Sequence, residues 1–311
     1  MLGLSFAFAI RLACNAKADE VSNWHNTWVN IAGAQTVMKF GIIIIALAIA
    51  PHFSGDAAAC EPVRIGYLDQ ERPPYWLGKG SEVPPKPGAS VELVQRFAAS
   101  AGCNASLKRL PVMRIRPALA SGALDFAPMD SSAKDTVGIV FPRDKNNQLD
   151  IKRALPLNVV VFVRSSDQIP QATEPAKYFR DRLLGVTLGA SYKIRLQNLG
   201  LKVDNGALDI ARNLEKLRLN RIDGFAVSVT SPDDMDSYVA QKYKGAIVRL
   251  SQPIFTDHIW LATTASYYAA HQNQVERMWF WLGSSGIGEF TALLKEYSEL
   301  QLQMQQENPS K

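Results

Sequence analysis

The sequence predicts an α/β protein of two lobes, each a mainly parallel sheet flanked by helices, with two extended crossovers between them. Three observations carry this. From Val63 onward, short β-like runs alternate with helical stretches in the order β-α-β-α-β, which implies parallel strands joined by right-handed crossovers. The same alternation recurs from Leu183 to Val229. Two β-rich runs, 154–166 and 246–264, lie outside these units and connect them.

Composition sets the outer bounds. Hydrophobic residues make up 47% of the chain and charged residues 20%, a balance that fits a packed core and argues against extended disorder. The net charge of +5 is scattered, without a run of five like charges. That excludes a nucleic-acid stripe and leaves a mild bias toward anionic ligands.

Residues 1–37 have a weak apolar start but no periodicity, repeat or capping pattern. They are expected to be a non-native upstream extension, with translation beginning at Met38; a long export leader is the other reading. Residues 38–59 have the anatomy of a signal peptide: Lys39, an apolar run from Gly41 to Ala50, then Ala57-Ala58-Ala59. Pro51, His52 and Asp56 stop the run well short of the roughly 20 apolar residues that a membrane span needs. Cleavage near Ala59 leaves about 250 residues, enough for one large or two modest domains. The chain is therefore expected to be exported through a cleaved signal peptide. Of the three cysteines, Cys60 and Cys103 remain after cleavage. A disulfide, acylation of Cys60 as a lipoprotein anchor, and a metal site are the alternatives open to them.

Within the folded part, "VRIGYL" (63–68) reads as the first strand, and "SVELVQRFAASAG" (90–102) as a helix with apolar residues at helical spacing, ended by Gly102. "ASLKRLPV" is a second strand, "RIRPALASGALD" a short helix closed by Gly122, and "FAPM" a third strand. Ligands of such sheets gather at the carboxyl ends of the strands. That places Tyr67, the loop "ERPPYW" (71–76) and the turn "MDSS" (129–132) around one crevice. In the second unit, "LLGVTLGA", "LKVDNG" and "DGFAVSV" are strands, separated by the helices "SYKIRLQNLG" and "DIARNLEKLRLNRI". The stretch from Asn273 onward is helical and expected to be broken in two at "GSSGIG".

These marks, in this order, resemble the family 3 extracellular solute-binding proteins, the receptors of polar amino-acid ABC transporters, from about Val63 to Tyr297. "VRIGYLDQERPPYW" is similar to the family's first strand and Pro-Pro-aromatic loop, and "PGASVELVQRFAASAG" to its Gly-led first helix. "RPALASGALDFAPM" and "NLEKLRLNRIDGFAVS" resemble the paired helix-Gly-Asp-strand segments of the two lobes, and "LLGVTLGASY" the opening of the second lobe. The resemblance implies a two-lobe type II periplasmic-binding-protein fold, with lobe 1 formed by 61–157 plus 253–311 and lobe 2 by 158–252. It implies that the first two strands are neighbours, which would bring Cys60 and Cys103 to the same sheet end as a disulfide. It further implies a monomer that captures a small molecule, an ABC-transporter permease as membrane partner, no nucleic acid, and no cofactor or metal.

The chain departs from the family where the ligand is held. Asp135, with Lys134 beside it, stands where family members carry an Arg that grips a carboxylate, and Ser228 stands where an acidic residue usually meets the ligand ammonium. The expected ligand is thus a small polar solute, an amino acid or a related compound. Tyr75 and Trp76 offer faces for a planar or cationic group, or pack on their own lobe. Ser191 and Tyr192 open a helix, where free N–H groups favour an anion, or Ser191 is only a cap. Arg114 reaches into the cleft or lies on the surface. Asp130, Ser131 and Ser132 face the crevice or form a turn. Asp125 and Asp223 occupy equivalent turn positions in the two lobes.

Catalysis is not expected. His258 and His271 are the only histidines of the mature chain, and no hydrolase, zincin or phosphate-loop motif occurs. A dehydratase-like enzyme on the same fold and a ligand-sensing module, ordinarily fused to further domains, are the alternative classes.

Overall fold

The computed structural model describes residues 60–133 and 137–307. The upstream extension, the signal peptide, Lys134 and Asp135 lie outside the described residues.

The first unit consists of β1 (Val63–Leu68), α1 (Ala89–Ala99), β2 (Ala105–Leu110), α2 (Val112–Ala120) and β3 (Phe126–Asp130). A two-residue strand, β4 (Ile139–Val140), follows, then the long β5 (Leu155–Arg164) and a single helical turn, α3 (Pro175–Tyr178). The second unit comprises β6 (Leu183–Thr187), α4 (Lys193–Asn198), β7 (Lys202–Ala207), α5 (Ile210–Arg218) and β8 (Gly224–Val229). After it come α6 (Asp236–Tyr243), β9 (Ile247–Arg249), β10 (Phe255–Thr264), α7 (Ala265–Trp281) and α8 (Ile287–Glu307).

The strands form one ladder in the order β2-β1-β3-β10-β5-β8-β6-β7, with β4 on β10 and β9 on β5. Each end is parallel: β1 pairs with β2 and β3, and β6 with β7 and β8. The two long strands in the middle are antiparallel to each other and to their outer neighbours. The crossovers expected to connect two lobes therefore also fuse the two half-sheets. Each does so by splitting its length. β10 uses residues 255–259 on β5 and 259–263 on β3, while β5 turns its later residues, 158–162, to β8.

Period-2 burial explains β1, in which Val63, Ile65 and Tyr67 are buried and Arg64 points to solvent. α1 buries Val91, Leu93, Val94, Phe97 and Ala98, the stripe that its spacing predicts. Gly88 starts α1 at φ +107°, and a Cβ there would lie 2.4 Å from the Tyr75 carbonyl oxygen, so only glycine lets the helix abut that loop. Phe97, Phe126, Trp279 and Phe290 centre one hydrophobic cluster, and Val159, Val161, Leu184 and Phe179 a second.

The C-terminal helices differ from expectation. Helix begins at Ala265, directly after β10, where the Thr264 hydroxyl accepts from the Tyr267 N–H at 3.0 Å. The Gly-Ser stretch does not break it. Residues 282–286 wind as a π-turn leading straight into α8. Small residues are required there because a Cβ on Gly283 would stand 2.6 Å from the Lys152 carbonyl oxygen.

Cys60 and Cys103 are joined by a disulfide, with Cα atoms 5.0 Å apart. They sit just before the β1 and β2 strands, whose register aligns Val63 with Ala105. Among the described residues no helix is long and apolar enough to cross a membrane, and no cluster of His, Cys, Asp or Glu is arranged to hold a metal.

Candidate functional site

Where the half-sheets meet, at the carboxyl ends of β1 and β8, lies a cavity of about 80 Å³. Its walls come from both sides of the sheet junction. Gly66 and Tyr67 end β1, Arg72, Tyr75 and Trp76 come from the following loop, and Ser228, Val229 and Thr230 end β8. Leu155–Leu157 of β5 and Ile259 and Leu261 of β10 form the floor, with Phe290 of α8 behind Tyr75.

The 71–76 loop is pinned by its own backbone. Arg72 N–H donates to the Trp76 carbonyl at 2.8 Å and Trp76 N–H to the Arg72 carbonyl at 2.9 Å. Pro73 and Pro74, joined by a cis bond, make the tip. The loop folds the Arg72 guanidinium over both aromatic rings, 5.0 Å from the Tyr75 centroid and 5.2 Å from that of Trp76. Nη2 reaches the Ser228 hydroxyl at 3.4 Å. Burial pushes the Arg72 guanidinium below its ordinary value.

Tyr75 ties the half-sheets together. Its hydroxyl donates to Asp234, beyond β8, and accepts from the Thr230 N–H at 2.7 Å. The same Asp234 oxygen accepts from the N–H groups of Ser231 at 2.7 Å and Thr230 at 3.1 Å. Burial raises the Asp234 carboxyl above its usual value, and burial together with the facing carboxylate raises the Tyr75 phenol. A second approach lies across the junction, where Gly189 meets the start of α2. A Cβ on Gly189, at φ +80°, would fall 2.4 Å from Val112 Cγ1.

Of the residues singled out from the sequence, Tyr67, Tyr75, Trp76 and Ser228 line this cavity. Tyr192 is buried beneath it. Its hydroxyl donates to the Ala226 carbonyl at 3.1 Å, and burial pushes its phenol up to about 12. The others lie elsewhere, for reasons of local geometry. Arg114 and Ser191 are solvent-exposed. Asp130 accepts from the Ser132 N–H at 3.0 Å and from the Ser132 hydroxyl. Ser132 in turn receives Arg116 at 2.9 Å, and the Ser131 hydroxyl donates to Asp257 at 3.2 Å, on which Arg195 of α4 also converges at 2.8 Å. The turn is thus occupied with its own bonds.

Sequence reasoning missed Arg72 and Thr230. Arg72 is the cation immediately before the two prolines of the loop already assigned to the crevice, so the signal was present in the quoted motif. Attention to its aromatic residues passed over it.

The fold is that of the two-lobed type II periplasmic binding proteins, or Venus flytraps. A ligand-binding core of GluR0 from Nostoc punctiforme, in complex with L-glutamate, is 13% identical with a TM-score of 0.57, over 76% of this chain and 99% of that one. An ancestral arginine-binding protein bound to arginine is 15% identical with a TM-score of 0.55, over 77% and 99%. The BvgS VFT2 domain of Bordetella pertussis is 17% identical with a TM-score of 0.55, over 76% and 92%. No protein-family model matches the chain, and no curated protein matches it in sequence.

Proposed function

We propose that the protein is a periplasmic solute-binding protein that captures a small polar solute, an amino acid or related compound, for uptake by an ABC transporter. In this reading 61–157 plus 253–311 form one lobe and 158–252 the other, a monomer closes them about β5 and β10, and the closed form docks on a membrane permease. The observation that supports it best is the cavity at the sheet junction, whose walls come from both lobes and whose edge carries the Tyr75–Asp234 contact from one lobe to the other. Hinged closure around a ligand is the motion such an arrangement permits, and a ligand shifts it only through contacts improved in the closed state.

A thermal-shift screen of amino acids, polyamines, organic acids and small peptides, followed by small-angle X-ray scattering, tests the proposal. The expected result is a raised Tm and a smaller radius of gyration with one solute class, the solute being recovered unchanged. Chemical turnover of the solute would replace this reading with that of an enzyme.

A further inference from the structure

The cavity offers a cation and neutral donors but no charged acceptor. Three buried polar atoms on its walls have no hydrogen-bond partner: Tyr67 Oη, Arg72 Nε and Trp76 Nε1. The indole and guanidinium nitrogens can only donate. Among the described residues no Asp, Glu, Asn, Gln or His side chain lines the cavity, whose side-chain acceptors are the hydroxyls of Tyr67, Tyr75, Ser90, Ser228 and Thr230. Asp234, the acidic group that acts on Arg72 from nearby, spends its one engaged oxygen on Tyr75 and on two backbone N–H groups. Among the described residues Arg72 makes no ion pair, and its side-chain hydrogen bond is the long one to Ser228.

Arg72 is half-buried with its Nε sealed from solvent, and such a cation with no carboxylate in contact is costly unless something pairs with it. Unsatisfied donors around it must likewise be met from outside the chain. What they call for is an anion. One guanidinium balances one negative charge and presents parallel N–H groups to a planar carboxylate. The rest of the wall, from Leu155 and Leu157 to Ile259 and Phe290, is apolar. An ammonium group placed there would lose its water and find hydroxyls but no carboxylate to pair with. The volume of about 80 Å³ is roughly half that of a cavity known to take benzene, so it encloses about three to four heavy atoms.

Building on the reading of this protein as a solute receptor, we propose that its site selects short aliphatic monocarboxylates without an amino group. Arg72 anchors the carboxylate, Trp76 Nε1 and Tyr67 Oη complete its hydrogen bonds, and the β5–β10 floor receives the tail. The anchor comes from the loop after β1 and not from the turn after β3.

Isothermal titration calorimetry of the purified exported protein tests this with acetate and propionate against glycine, which is isosteric with propionate but carries an ammonium in place of its methyl, and against inorganic phosphate. Acetate and propionate are expected to bind at least about 100-fold more tightly than glycine, whose ammonium would be desolvated without a carboxylate to pair with. Arg72→Gln should weaken acetate by about 10- to 100-fold and Trp76→Phe by about 3- to 10-fold, with unchanged circular dichroism. Should Arg72→Gln fail to fold, Arg72→Lys and Trp76→Phe carry the comparison. Equal or tighter binding of glycine or phosphate, insensitivity to both substitutions, or no binding of either carboxylate would overturn the inference. Scattering on the same samples separates the two readings. Closure on an amino acid, independent of Arg72, sinks the monocarboxylate assignment and keeps the receptor; the absence of closure with every solute sinks the receptor as well.

Discussion

Asp125 and Asp223 do the same work in the two halves. Each carboxylate accepts the N–H at the start of the neighbouring strand, Arg64 in β1 and Leu183 in β6, both at 2.7 Å. In both, the aspartate's own N–H donates back to that residue's carbonyl at 2.8 Å. Two other carboxyls respond to pH with opposite signs. Asp204 is held below its ordinary value of 3.8 by the hydrogen bond from Lys216. Its stabilisation is present above that value and lost as pH falls through the lowered one. Asp234 is held above 3.8 by burial, so its stabilisation is complete below 3.8 and lost as pH rises through the raised value. In urea titrations from pH 3 to 7, Asp204→Asn should therefore lose stability relative to wild type as pH rises, by less than about 1 kcal/mol. Asp234→Asn should gain on wild type over the upper part of that range; parallel curves for the two variants would contradict the assignment. At this scale the sequence was legible where a residue's role is set by its neighbours in the chain, as in the two helix-Asp-strand turns. It was not legible where the role depends on a distant partner. Arg72 against Ser228 and Tyr75 against Asp234 are pairs more than 150 residues apart.

At the scale of elements, the disulfide fastens the beginning of β1 to the beginning of β2. It closes a loop of sequence separation 43, and the chain-entropy relation assigns such a closure about 4 kcal/mol. Cys103→Ser is expected to lower the urea midpoint accordingly, with the slope of the transition rising as the unfolded chain expands. A loss well under 1 kcal/mol would show that the β1–β2 ladder needs no such constraint. Strands and helices with clear periodicity, such as α1 and β8, stand where the pattern puts them. The exceptions are the short elements. β4, β9 and the one-turn α3 are too brief to show a period. The run 246–264 divides into β9 and β10 around Pro253, which has no N–H to give a ladder. The π-turn at 282–286 escaped because two glycines and two serines punctuate a helix in sequence, while in space they permit close approach to Lys152.

For the whole molecule, the alternation of strands and helices foretold two parallel units, and the long β-rich runs foretold what joins them. That the units share one ladder followed from nothing local. It depends on how β5 and β10 divide their edges between neighbours. The division changes hands at Ile259, which pairs with Leu155 of β5 on one side and Asp130 of β3 on the other, and whose side chain also lines the cavity. On the proposed hinge, this residue sits at the fulcrum. A wall at the fulcrum hardly moves as the arms swing, so it touches the solute alike in both positions and cannot bias the swing. Ile259→Ala should therefore weaken capture while leaving the ligand-induced change in radius of gyration at saturation unaltered. On that hinge, leverage belongs to the groups at the rim, above all Tyr75, whose bond to Asp234 spans the two arms.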